Sequence, residues 1–330
     1  MFGGVYARVV ALVLALVVLG SVVTMPSGAD QNVEVGVPEY MERYRPVLMG
    51  TMITVAYYAE PPTIVCSLGW PVYYYEKEYT GGPIPYKAPS WFKDRVRPDL
   101  GVEDYYYVFH FGLVTASHCG DWPDLVYQPN ITAVGDNYIG SVKLDGRFWD
   151  PDGDGNQDTI REYYPVDALY IEVEAHTSYS SRAIPTPNKV SNKILLFNPD
   201  WAYPSEATIE GAYSSYSNFV NQTLGYLHVA GFRSGLQSAY IISSLPEMFD
   251  SVCGWVFGIQ SDNAIALHGN SGGIAFHWVE DSNGNHAYVA GIMVCNWANM
   301  TEYQLFVAPV WRAMDDFRTI YDTFHVYTGS

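Results

Sequence analysis

The sequence predicts an all-β protein, a barrel or sandwich with one helix near its end. Three observations carry this. Segments rich in β-branched and aromatic residues recur along the chain. Clusters of Pro, Gly, Asn and Asp separate them. Sustained helical spacing is confined to residues 309–321.

Taken in order, residues 1–29 are not part of the fold. Arg8 is the one early charge, Val9 to Met25 runs apolar over 17 residues, and small residues end at Ala29. This is the pattern of a secretory signal peptide cleaved near Ala29. Seventeen residues is also the lower edge of a bilayer span, so an uncleaved anchor is the other reading. Either one places the remainder outside the cytoplasm, secreted or held at a membrane through its N-terminus. Residues 30–44 are an N-terminal segment or a short propeptide.

The expected strands are residues 51–59, 104–116, 168–175, 224–232, 272–280 and 287–295. Asn283-Gly284 signals a hairpin between the last two. Residues 72–103 read as an irregular, Pro- and Tyr-rich insertion. In the helical stretch, Val310, Met314, Phe317 and Tyr321 recur on one face behind Pro309.

The charge balance narrows the partners. Against 17 basic residues stand 35 acidic ones, a net charge of −18. Such a surface repels nucleic acid and anionic lipid, and it favours solubility. Four cysteines in an exported chain imply two disulfides, with three pairings open. Sequons at Asn130, Asn221 and Asn299 are glycosylation acceptors if exposed.

Two motifs carry chemistry. GLVTASHCGD (112–121) sets His118 beside Cys119. This is a metal-ligand pair, a thiol site, or a base with distant partners and a structural cysteine. Gly269-Asn270-Ser271-Gly272-Gly273 surrounds one serine with glycines, as a loop offering backbone N–H groups to an oxyanion requires. The pattern also satisfies the nucleophile elbow G-x-S-x-G, but that fold alternates strands with helices, and here the flanks are β. The order His118, then Ser271, instead asks for an aspartate between them at the start of an apolar strand. Asp167, ahead of Ala168-Leu169-Tyr170-Ile171, meets it.

With these residues in place the sequence resembles the trypsin/chymotrypsin-like serine proteases, nearest the secreted bacterial streptogrisin and alpha-lytic protease branch. The resemblance rests on Cys66-Ser67-Leu68-Gly69, LVTASHCG, VDALYI, GNSGG followed by Gly291-Ile292, and LFVAPVWRAM, and spans roughly 45–322. It implies two six-stranded antiparallel β-barrels with a C-terminal helix. The first would take residues 45–185, with insertions at 72–103 and 146–162, and the second 186–330. It implies His118 as general base, Asp167 orienting it, Ser271 as nucleophile, and the N–H groups of Gly269 and Ser271 as oxyanion hole. It implies a Cys66–Cys119 disulfide, and with it Cys253–Cys295, whose spacing fits the family poorly. Ile265, Ala266, His268, Val294, Cys295 and Asn296 would line the substrate cleft. No acid lies among them, which disfavours Lys or Arg and points to a medium-sized apolar side chain. His268 is alternatively a solvated rim residue.

The chain departs from the pattern in three places. Asn270 replaces the aspartate that in digestive proteases pairs with a freed N-terminus. Val294 stands where a serine often supports the catalytic aspartate. Cys295-Asn296 replaces glycines in the cleft strand.

Asp150, Asp152, Asp154, Asn156 and Asp158 alternate around glycines like the first half of a calcium loop, with Arg161 where the last ligand belongs. The choice is structural calcium or an acidic hairpin turn; catalysis itself needs no cofactor. The sequence thus predicts a monomeric serine endopeptidase acting on protein or peptide. The rival is an inactive homologue serving as a calcium-stabilised extracellular or surface binding protein.

Overall fold

The computed structural model describes residues 36–56, 63–79, 105–121, 123–129, 137–145, 166–201, 203–251, 253–296 and 299–329. The signal segment, the acidic loop 150–158 and Asn130 lie outside them. In chain order the first strands are β1 (Val47–Met49), β2 (Met52–Ala56), β3 (Thr63–Ser67), β4 (Pro71–Tyr79), β5 (Tyr105–Thr115), β6 (Leu125–Tyr127), β7 (Tyr138–Asp145) and β8 (Leu169–Ser178). Then follow β9 (Val190–Leu196), β10 (Ser205–Ala212), helix α1 (Tyr216–Thr223), β11 (Tyr226–Gly231), β12 (Gly235–Ile241), β13 (Met248–Asp250) and β14 (Gly254–Ser261). The chain continues through β15 (Ile274–Asp281), β16 (Gly284–Met293), β17 (Gln304–Pro309), helix α2 (Val310–Arg318) and β18 (His325–Val326).

These strands close two antiparallel rings. In the first, β2 pairs with β3 and β6, β6 with β7, β7 with β8, β8 with β5 and β5 with β4. β3 and β4 act as one bent strand. Across the bend Gly69 N–H donates to Val114 O (2.8 Å) and Val114 N–H to Trp70 O (2.9 Å), which completes the circuit. In the second ring β11, β12, β14, β17, β16 and β15 each pair with the next, and β15 returns to β11. Both rings follow the same order, first-second-third-sixth-fifth-fourth. This is the double barrel that the resemblance implies, with further strands outside the rings. β10 lies parallel to β16, β9 antiparallel to β10, and β1 parallel to β9.

The ends of the described chain cross over. β1 precedes the first barrel yet belongs to the sheet of the second. β18 follows the second barrel yet pairs with β4 of the first, Val326 opposite Val72. Fully buried Phe324 packs there against Tyr74 (5.0 Å between ring centres) and Tyr170 (5.1 Å).

Three local differences from the sequence reading have physical causes. Residues 72–79, expected as the start of an irregular insertion, are regular β4, paired residue for residue with β5. Their run of tyrosines suits a pleated surface, with Tyr74 buried and Tyr73 and Tyr75 on the other face. Helix α1 has no long apolar stripe to announce it. It starts on a cap, Asn218 N–H donating to Ser215 Oγ at 3.1 Å, and ends at Leu224 with φ +53°. The expected hairpin forms, but Ser282 and Asn283 make its loop and Gly284 (φ +125°) opens the return strand. Asn221 and Asn299 are exposed. No helix among the described residues is long and apolar enough to cross a membrane.

Candidate active site

Register between β5 and β8 brings the first two residues together. Thr115 is opposite Leu169, so the chain leaving β5 meets the chain entering β8. Directly after β5, Ser117–Cys119 make one tight helical turn that projects His118. Asp167 sits two residues before β8 and is 6% exposed. Its Oδ2 lies 2.7 Å from His118 Nδ1, and its Oδ1 accepts the His118 backbone N–H at 3.0 Å. A carboxylate only accepts, so this geometry puts the proton on Nδ1 and leaves Nε2 with a lone pair. His118 is about a third exposed.

Cys119 is bonded to Cys66 on β3, with their Cα atoms 6.2 Å apart. All four cysteines are paired, Cys253 with Cys295. His118-Cys119 is therefore neither a metal pair nor a thiol site. Among the described residues no group of three or more His, Cys, Asp or Glu is placed to hold a metal ion.

The glycines around Ser271 are demanded by their surroundings. Gly269 has φ +93° and Gly272 φ +81°, which side chains other than glycine adopt at a cost. At Gly272 a Cβ would also lie 1.9 Å from Thr115 Oγ1 and 2.4 Å from Ser67 O. Asn270, 2% exposed, holds the loop from below. Its Oδ1 accepts from the N–H groups of Arg233 (2.9 Å) and Ser234 (3.2 Å), and its Nδ2 donates to Ile265 O (3.0 Å). Each amide atom has its partner, so no ammonium group is required here. Asn270, Gly272 and Gly273 donate their N–H groups within the site, to Leu267 O, Met293 O and Asn270 O. Among the described residues no backbone carbonyl accepts from Gly269 or Ser271 N–H.

Ser67 joins the two barrels at this loop. Its N–H donates to Ser271 O (2.8 Å), its Oγ donates to Gly269 O (2.9 Å) and accepts from Phe232 N–H (3.0 Å), and its carbonyl accepts from Thr115 Oγ1 (2.8 Å). The sequence reading quoted Ser67 and Thr115 within motifs but gave neither a task. Nor does it mark the 232–234 turn, whose bonds to Ser67 and Asn270 join residues distant in sequence.

His118 and Ser271 line one cavity of about 350 Å³. Ile265, Ala266, His268, Val294, Cys295 and Asn296 all line it too, joined by Leu267, Met293 and Leu305. Among the described residues no carboxylate lines it. Ile265 and Ala266 are pinned through their N–H groups to Glu302 O (2.8 and 2.9 Å), and Phe306 N–H to Cys295 O (2.7 Å). His268 is exposed at the rim. Ser271 Oγ rests 3.4 Å from Val294 O, a long and weak contact from which it is easily released.

No protein-family model matches the chain, and no curated protein matches it. Among solved structures, Thermobifida fusca protease A aligns with 86% of this chain and 99% of its own, at 14% identity and a TM-score of 0.44. Nocardiopsis protease aligns over the same shares at 15% identity and a TM-score of 0.44. Cellulomonas bogoriensis chymotrypsin covers 86% and 98%, at 12% identity and a TM-score of 0.44. These are bacterial chymotrypsin-like serine proteases, and the likeness is one of fold.

Proposed function

We propose that this chain is a serine endopeptidase that cleaves protein or peptide substrates outside the cytoplasm. One observation carries the reading. His118 is held by both oxygens of a buried Asp167, in the same cavity as Ser271, and no backbone carbonyl of the described residues takes the Gly269 and Ser271 N–H groups.

The residues do the following. His118 Nε2 takes the Ser271 hydroxyl proton as Oγ attacks the peptide carbonyl carbon. The Gly269 and Ser271 N–H groups receive the developing oxyanion. Asp167 stabilises the imidazolium and keeps its orientation. His118 then protonates the leaving amine, whose C–N bond breaks to leave an acyl-enzyme on Ser271. Water, deprotonated by His118, attacks this ester and releases the acid.

The cavity supports a medium-sized apolar side chain next to the scissile bond. Ile265, Met293 and Leu305 give it apolar walls, and no lining carboxylate would receive Lys or Arg. Two disulfides suit an oxidising compartment. Structural calcium at 150–158 remains part of the proposal. It predicts a melting temperature that rises with calcium and falls with chelator.

A fluorophosphonate tests the reading directly. It labels Ser271 in the parent chain and fails to label Ser271→Ala. Peptides with Leu or Met before the scissile bond are cleaved faster than those with Arg. A folded parent chain that neither labels nor cleaves overturns the assignment and leaves an inactive homologue.

A further inference from the structure

Residues just ahead of the first barrel pack beneath the oxyanion loop. Gly36 and Gly269 approach opposite edges of one ring, that of Phe232. A Cβ on Gly36 would lie 2.7 Å from Phe232 Cδ2, and a Cβ on Gly269 2.3 Å from Cε1. Phe232 is 2% exposed, so the ring has no free side on which to yield. Its carbonyl accepts the Val37 N–H at 2.8 Å. Its N–H reaches Ser67 Oγ, which in turn donates to Gly269 O. The next two N–H groups, of Arg233 and Ser234, hold Asn270.

The segment is itself anchored. Tyr40 is fully buried, donates its hydroxyl to Leu195 O (2.8 Å) and accepts from Phe197 N–H (3.1 Å). Its ring closes on Gly50, where a Cβ would be 3.1 Å from Tyr40 Cε1. Val37 faces Gly235 at the other end of the 232–234 turn. Glycine-rich backbone does not hold itself rigid, and Asn270, an amide, cannot pair with an ammonium group as an ion.

We infer that Gly36–Tyr40 is a positioning strap for the oxyanion loop, acting through the Phe232 ring and the 232–234 turn, and that it stays with the working protein. This rests on the endopeptidase reading for its consequence, but the mechanical coupling does not. Gly36, Val37, Tyr40 and Phe232 are positioning residues. None of them lines the cavity where the reaction would take place.

The test uses the full chain carrying Gly36→Val, Tyr40→Phe, or Gly36→Val with Phe232→Leu. Kinetics are read well below the melting temperature of each variant. Gly36→Val lowers kcat at least tenfold with KM changed less than about threefold, because the displaced ring moves the oxyanion donors rather than the binding walls. Removing ring bulk in the double variant returns a good part of kcat. Tyr40→Phe gives a smaller loss in the same direction. Amide hydrogen exchange at Asn270, Gly272 and Gly273 accelerates at least tenfold in Gly36→Val relative to β5 and β8. An unchanged kcat together with unchanged exchange in folded Gly36→Val overturns the inference. So does a chain beginning after Tyr40 that keeps full kcat. If Gly36→Val fails to fold, Tyr40→Phe decides by the same two readouts. If the parent chain has no activity, the endopeptidase reading falls and exchange alone judges the strap.

Discussion

The backbone N–H of Ser67 donates to the carbonyl oxygen of Ser271 at 2.8 Å. A residue of the first barrel thus grips Ser271 of the second, and its side chain adds a bridge between Gly269 and Phe232. Ser67→Ala keeps the backbone bond and orphans the other two groups. The expected cost is about 1–3 kcal/mol, read as a lower urea midpoint with unchanged m.

Asp167→Asn keeps the size of the side chain but offers His118 Nδ1–H and N–H one oxygen where there were two. The imidazole is then free to take the wrong tautomer. We expect kcat to fall about 10³–10⁴-fold with KM nearly constant. A loss below tenfold would remove Asp167 from the machinery.

Asn270→Asp should destabilise this chain. One oxygen would face Ile265 O, where Nδ2 now donates. The expected penalty is about 1–3 kcal/mol near neutral pH. Burial raises the carboxyl pKa, and a protonated oxygen donates again, so the penalty should shrink as pH falls. Melting curves from pH 7 to 4 measure both effects.

How much of this was legible in the sequence follows from the range of each interaction. His118 and Ser271 announce themselves because their neighbours are locally constrained: the disulfide at Cys119, and glycines where φ is positive or another segment passes close. Asp167 was readable through the strand it precedes. The strap was not, since residues 36–44 carry Pro38, Glu39, Glu42 and Arg43 and look like a polar leader. What Gly36, Val37 and Tyr40 are buried against is Phe232 and the backbone at and just after β9, far along the chain. β9 and β10 escaped for the same reason: they pair with each other antiparallel, but what seats them in the sheet is distant and parallel, β1 beside β9 and β16 beside β10.

Acid should unfold the protein partly through His228. Burial, with a smaller contribution from nearby His277, pushes its pKa down to about 4 from an ordinary 6.5. Its Nδ1 has no hydrogen-bond partner among the described residues. A depressed folded pKa contributes stability that is present above the unfolded value and lost as pH falls from about 6.5 towards 4. Glu172 acts in the same sense lower down, its carboxyl held below the usual range chiefly by His110, whose Nδ1 lies 3.4 Å from Oε2. His228→Phe should flatten the stability slope between pH 6.5 and 4 while leaving the lower limb.

Opening the Cys66–Cys119 bridge should loosen the His118 turn without creating the reactive group of the site. The double Cys→Ala variant is expected to lose about 2–4 kcal/mol and to retain fluorophosphonate labelling. Iodoacetamide should leave the unreduced protein's activity untouched, since no free thiol is present.

The crossing of β1 and β18 between the sheets gives the protein a clock. The first barrel has its last ring strand once Ser178 is made, but the edge beside β4 stays open until Phe324 and Val326 arrive. At about 5–20 residues per second, those roughly 150 residues take on the order of 7–30 s to synthesise. A chain still emerging therefore leaves the β4 edge of its first barrel uncovered, whatever its first half has done.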